Sequence, residues 1–267
     1  MIYFTRDEVE RIGRAGSSLW VDPDGQGGSA FRYLSNFWLL VEEHDEAFTP
    51  HGPDGFWEAW VTRWVSEKLE DADLFIDVGA NVGYYSLMAA AAGVQTLAFE
   101  PNPDLCKMLE RSSKINRLQN KVEICQQGLS DTKGTAFLNV PDRHSGGAYL
   151  SEDRSEYVIS HEVPIDTLDN SATRLFKSNV LIKIDAEGAE PKIWAGMQNW
   201  YERHNCTVVL EWESSRFNCE SFGKALFDDY KNYVAVVDFD GHEKEMTHWR
   251  QLADRDGLEM VVVRKRG

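Results

Sequence analysis

The residues best placed to do chemistry are an aspartate, a glycine turn and a glutamate at fixed intervals. Asp77 sits inside an apolar run, Leu74–Val78, and Gly79 and Gly83 bracket a turn through Asn81. Glu100 closes a second apolar run, Val94–Phe99, about twenty residues beyond the first glycine. At that interval a doubly wound sheet places the carboxylate that takes a ribose diol. A third stretch, Asp185-Ala-Glu-Gly-Ala-Glu190, supplies Asp185 and Glu187. Either carboxylate can orient a reacting group or take its proton, and His144 is a third candidate for that work. Glu190 reads as an acid at a helix N-terminus, favoured by the dipole.

A frame is needed to bring these groups together, and the apolar pattern supplies one. Strand, glycine turn and helix (about Tyr84 to Ala92) lead to the second strand, then to a helix that Asn102 caps and Pro103 starts. A third strand spans Val122–Cys125. Asp131–Gly134 is a turn, Thr135–Val140 and Tyr157–Val163 read as strands, and polar Pro141–Glu156 reads as a loop or lid. The alternation is thus interrupted by an inserted β-hairpin at about residues 131–163. It resumes with Val180–Ile184, a helix to about Trp200, Thr207–Trp212, a short helix near Phe222–Tyr230, and a closing antiparallel pair, Tyr233–Val237 with Glu259–Val263. Lys183, inside the fourth strand, is expected on the face away from the ligand and is given no role. The pattern is α/β, a mostly parallel sheet with helices on both faces.

Residues 1–55 form an N-terminal extension ahead of a main domain at 56–267. Val21–Ser29 is turn-rich, and Phe31–Val41 fits a strand or a short helix equally. Trp57, Trp60, Val61, Trp64 and Val65 recur at helical spacing in Phe56–Leu69 and mark a helix packed on the sheet. The Trp-rich N-terminal region also offers surface for a contact between copies of the chain.

The chain has 267 residues, with 28 Lys and Arg against 44 Asp and Glu, a formal charge of −16. That balance argues against a nucleic-acid partner, which calls for clustered cations. No run approaches the roughly 18 apolar residues that cross a bilayer, so no membrane partner is expected. The four cysteines, Cys106, Cys125, Cys206 and Cys219, have no metal-type spacing and read as reduced thiols of a cytoplasmic protein.

The turn also discriminates between ligands. A dinucleotide fingerprint wants a glycine where Asn81 stands, and a carboxylate at Asp77 would repel pyrophosphate. A ligand with a ribose and an ammonium but no phosphate suits the turn better, and S-adenosylmethionine is such a ligand. Ile76–Gly83, Ala98–Pro103 and Leu181–Gly188, together with Thr167-Leu-Asp169, resemble in order and spacing the signature of FkbM-type methyltransferases. The resemblance covers about residues 72–212. It implies a class I methyltransferase fold, Rossmann-like, with seven strands in the order 3-2-1-4-5-7-6. It further implies that Asp77 and the Gly79–Gly83 backbone, including Asn81, hold the methionine end, with Ser86 near its carboxylate. Glu100 would take the ribose, Asn102 and Leu105 would line the adenosine, and Gly128, Leu129 and Ser130 would contact adenine. Asp185 would lie near the sulfonium. The expected reaction is O-methylation of a sugar, glycan or natural-product hydroxyl. Asp185, Glu211 and Glu213 lie near strand ends where a divalent ion can bind, but no metal is expected. The alternatives are an NAD-type oxidoreductase or epimerase, and a non-catalytic interaction module on the same sheet.

Overall fold

The structure is a computed structural model that describes all residues except 1, 2, 4, 43, 47, 48, 157, 173–177, 229, 230, 256 and 267. Tyr157 and Tyr230, each an end of an expected element, lie outside the described residues. In chain order the elements begin with α1 (Arg6–Gly16), β1 (Leu19–Val21), β2 (Ser29–Tyr33), β3 (Phe37–Val41) and α2 (Ala59–Lys68). β4 (Leu74–Val78), α3 (Tyr84–Ala91), β5 (Gln95–Phe99), α4 (Pro103–Ile115) and β6 (Val122–Cys125) follow. Next come β7 (Gly128–Leu129), β8 (Gly134–Val140), β9 (Tyr149–Ser151), β10 (Ile159–Asp166) and α5 (Leu168–Ser171). The last elements are β11 (Asn179–Ile184), α6 (Glu190–Ala195), α7 (Gln198–Arg203), β12 (Asn205–Glu213), α8 (Cys219–Phe227), β13 (Asn232–Val237), β14 (Glu243–Met246), α9 (Arg250–Ala253) and β15 (Leu258–Lys265).

The main sheet runs β6-β5-β4-β11-β12-β15-β13-β14. Its first five strands are parallel, and β15 enters antiparallel between β12 and β13. This is the order 3-2-1-4-5-7-6 with an eighth strand, β14, added at the edge where seven were expected. The addition is a hairpin on β13 closed by the Asp238–Gly241 turn. Glu243 of β14 ties it down, accepting from Trp64 Nε1 at 3.0 Å and pairing with Lys68 and Arg264.

Both faces of the sheet are covered, which is why β4 and β11 read as continuous apolar runs rather than alternating ones. Phe75, Ala98, Leu181 and Val209 pack beneath α2 and α3. Ile76, Leu97, Ile182 and Leu210 face α6, α7 and α8. Asp77 has the parity of Phe75, and the register pairs it with Lys183 on one side and Ala98 on the other. Lys183 in turn pairs with Val209. Counting two residues onward along each strand places Glu100, Asp185 and Glu211 on this same α3 side, at the C-terminal ends of the strands. Lys183 therefore lies on the ligand's face, contrary to the expectation, because it shares its parity with Asp185.

Three local readings change for steric or hydrogen-bonding reasons. The single helix expected after strand four is two, α6 and α7, broken at Gly196, where a Cβ would come within 2.0 Å of the Ser130 carbonyl oxygen. The insertion is a four-stranded sheet, β7-β10-β8-β9, rather than a hairpin. Phe31–Val41 resolves into the β2–β3 hairpin of a three-stranded sheet. That small sheet docks edge-on against α4: Ser112 Oγ accepts from Leu40 N at 3.0 Å, and Asn116 exchanges two bonds with the Trp38 backbone. Asp24 adds a two-pronged pair to Arg111 at 2.7 Å.

Candidate active site

A cavity of roughly 320 Å³ lies above the C-terminal ends of β4, β5 and β11. The glycine turn forms its floor, and every backbone N–H in that turn is committed within the protein. Gly79 and Ala80 donate to the Phe99 carbonyl, Asn81 to Glu100 Oε2 at 2.8 Å, Val82 to Asn81 Oδ1 and Gly83 to the Ala80 carbonyl. The turn is consequently no phosphate cradle, because such a cradle works through free N–H groups. Its glycines serve packing instead. A Cβ at Gly79 would lie 1.8 Å from the Asp185 carbonyl oxygen, and one at Gly83 would lie 2.1 Å from Leu109.

What the floor offers a ligand is acceptors. Asp77, 1% exposed, takes the Ser86 hydroxyl on Oδ2 at 2.6 Å, while its Oδ1 has no hydrogen-bond partner among the described residues. Burial raises its pKa, with Lys183 opposing. Glu100 accepts from Asn81 N on one oxygen and from Asn102 N on the other, each at 2.8 Å. Each oxygen keeps a second acceptor position. Burial pushes Glu100 up to about 7, with the two N–H groups holding it down.

At the other end of the cavity, Lys183 Nζ donates to Asp185 Oδ2 at 2.7 Å and lies 4.8 Å from the Tyr85 ring centre. Tyr85 Oη donates to Glu58 Oε2 at 2.9 Å, and Trp57 also hydrogen-bonds that carboxylate. Burial raises Glu58. The surrounding acids raise the pKa of buried Lys183 against its desolvation. Carboxylate oxygens of Asp185, Glu187 and Glu211 lie within 4.8 Å of one another. Arg216 bridges the last two, at 2.7 Å to Glu187 and 2.5 Å to Glu211. Burial and the Asp185 charge push Glu187 up to about 7, and both effects also raise Glu211.

The structure brings together Asp77, Gly79, Asn81, Glu100, Leu105, Gly128, Leu129, His144, Asp185 and Glu187 in one cavity wall. His144 stands there as an exposed rim residue. Gly83, Ser86, Asn102 and Ser130 are not in that wall. Gly83 packs on Leu109, Ser86 spends its hydroxyl on Asp77, Asn102 caps α4 by accepting from Asp104 N, and Ser130 N donates to Asp166. Glu190 stays with its helix end, accepting from Ala186 N and Gly188 N. Glu213 accepts from Ser215 and takes no part in the acidic trio; Glu187 replaces it there. Glu58, Tyr85 and Lys183 belong to the wall and were missed. Parity would have found Lys183, but nothing local marks Glu58, whose place depends on how α2 docks.

An α/β sheet in this strand order carries a buried glutamate after its second strand and, within its first, an aspartate with one carboxylate oxygen unpartnered among the described residues, so the cavity between them offers a ligand buried acceptors. The sequence matches the methyltransferase FkbM domain over residues 77–252, and the chain belongs to that family. It is 31% identical over 159 residues to the hexuronic acid methyltransferase AglP of Haloferax volcanii, covering 56% of this chain and 60% of that protein. It is 27% identical over 181 residues to the methyltransferase sdnD of Sordaria araneosa, covering 55% of this chain and 70% of that one. The chain thus spans 60% of the first relative's length. Among solved structures it is similar to methyltransferase FkbM from Methylobacillus flagellatus, with a TM-score of 0.44, 12% identity, and 72% of this chain and 44% of that one covered. An O-methyltransferase from Bacillus cereus in complex with SAH has a TM-score of 0.44 and 11% identity, with 84% of each chain covered.

Proposed function

We propose that this chain is an S-adenosylmethionine-dependent O-methyltransferase acting on a hydroxyl of a sugar, glycan or natural-product small molecule. The observation that carries the reading is the buried Asp77 Oδ1, unpartnered among the described residues, in the same cavity as Glu100. S-adenosylmethionine fits this donor set: Asp77 would hold its ammonium, Glu100 its ribose hydroxyls, and Phe99, Leu105 and Leu129 its adenine. When bound, it supplies an activated methyl group and leaves as a neutral thioether. The chain's own work is alignment and proton removal. Asp185, paired with Lys183 at 2.7 Å, orients the acceptor. Glu187, which burial pushes up to about 7, takes the hydroxyl proton. The family membership and the two curated relatives support a methyl-transfer reaction. The charge of −16 supports an acceptor other than nucleic acid.

The test is calorimetric titration with S-adenosylhomocysteine and, in parallel, with NAD, followed by methyl transfer from labelled S-adenosylmethionine to a panel of hydroxylated glycosides. Binding of S-adenosylhomocysteine alone is expected, with Glu187→Gln lowering kcat about 10²-fold on any active acceptor. Tight NAD binding, or none by S-adenosylhomocysteine, refutes the proposal.

A further inference from the structure

The insertion loop that covers the cavity is held down by a segment outside the family match. Ser145, in the short helical turn Ser145–Gly147, donates its backbone N–H to Asp45 Oδ1 at 3.1 Å and its hydroxyl to Asp45 Oδ2 at 2.8 Å. Beside this pair Glu46 N donates to the Arg143 carbonyl at 2.7 Å, and the Arg143 guanidinium meets Glu46 at 3.1 Å. Asp45 is 5% exposed, although the loop it grips is exposed at Arg143 and His144. It lies just past β3, which Ser112 and Asn116 fix to α4, so one side of the contact is anchored. The loop itself is thin. His144 and Ser145 line the cavity on their inner side and, on their outer side, a broader groove of roughly 1090 Å³ bounded by Asn102, Arg111 and Arg143. This strip of chain, with Leu105 of α4, lines both spaces.

We propose that Asp45 is a positioning residue: through Ser145 it holds the insertion loop as the outer wall of the cavity and so governs how long an S-adenosyl ligand stays bound. Both carboxylate oxygens act on one residue, so the wall is pinned in orientation as well as in place. Losing these bonds frees the loop to swing toward the groove and joins the two spaces. The loop-holding half stands on geometry alone, while the retention half rests on the cofactor reading above.

Trypsin and stopped-flow release test the two halves separately on the full chain, because the loop carries Arg143 and Arg154. In Asp45→Ala, cleavage within the loop should be about tenfold faster and S-adenosylhomocysteine release about tenfold faster, as expected for lost charge-assisted hydrogen bonds. The thermal midpoint should stay near wild type. Asp45→Asn keeps one acceptor for Ser145 N and should recover much of both effects, which a merely structural role would not predict. Wild-type cleavage rates in Asp45→Ala overturn the proposal, as does faster cleavage with unchanged release. Should Asp45→Ala fail to fold, Ser145→Ala on the same readouts decides in the same two directions, with a smaller expected change. A wild-type chain that binds no S-adenosylhomocysteine yet shows the trypsin difference refutes the cofactor reading and leaves the loop contact standing.

Discussion

Glu100→Gln is expected both to weaken S-adenosylhomocysteine binding and to flatten its pH dependence. In the wild type each Glu100 oxygen already accepts one N–H at 2.8 Å, and the ribose hydroxyls would donate to the remaining positions. Those bonds require the carboxylate, and burial has pushed Glu100 up to about 7. The ionised fraction falls from about nine-tenths at pH 8 to about one-tenth at pH 6, so affinity should drop about tenfold, or about 1.4 kcal/mol. Glutamine presents one acceptor and one donor where four donors converge. It forfeits two bonds to a charged group, each worth about 1.5–3 kcal/mol, so affinity at pH 8 should fall by about 10² to 10⁴. Isothermal titration of both proteins at pH 6, 7 and 8 measures this directly. Glu187 also titrates near 7 in the same cavity and burial raises Asp77 there, so any slope that survives in the variant belongs to these groups. A wild-type affinity that does not change between pH 6 and 8, or a variant that keeps both affinity and slope, would refute the reasoning.

Other perturbations test the frame. Gly79→Ala forces a Cβ to within 1.8 Å of the Asp185 carbonyl at a φ of +77°, so it should part β4 from β11 and cost about 3 kcal/mol or more in urea unfolding. Lys183→Met leaves Asp185 without its cation and should destabilise by about 3 kcal/mol, whereas the double variant Lys183→Met/Asp185→Asn should recover most of that loss. Glu100, Glu187 and Glu190, each raised to about 7 from an ordinary 4.5, bind more protons folded than unfolded between those values. Stability of the ligand-free chain should be highest near or below pH 4.5 as far as these groups are concerned, and fall as pH rises through 7, opposite in sign to ligand affinity. Denaturation midpoints across that range check it. Asp185, Glu187 and Glu211 are each already paired with Lys183 or Arg216, so EDTA should leave methyl transfer unchanged.

How much was legible follows from where each signal resides. Leu74–Val78 and Val180–Ile184 were readable because strands covered on both faces cannot tolerate polar residues outside a site. The Asn102 cap and Pro103 start of α4 are local chemistry, and the structure keeps both. Phe31–Val41 was ambiguous because the Ser112 and Asn116 groups that complete its outer strand lie more than seventy residues away. The β13–β14 hairpin did carry a local signal, Asp240-Gly241, but charged Glu243–Met246 gives no apolar alternation to read. Gly196 looked like an ordinary helical residue until the Ser130 carbonyl was seen against it.

Composition and spacing were enough to specify the strands, the turn and the carboxylates at the strand ends, since backbone geometry and burial act within a few residues of each position. Which carboxylates share a face, and that Lys183 stands among them, came from the parallel register between β4, β11 and β12. Glu58 and Tyr85 came from how α2 and α3 pack on that sheet, and the Asp45–Ser145 contact from how the extension meets the insertion. Such contacts join residues as far as a hundred positions apart. No local pattern encodes them, because the free energy that selects them belongs to surfaces that exist only once the sheet has formed.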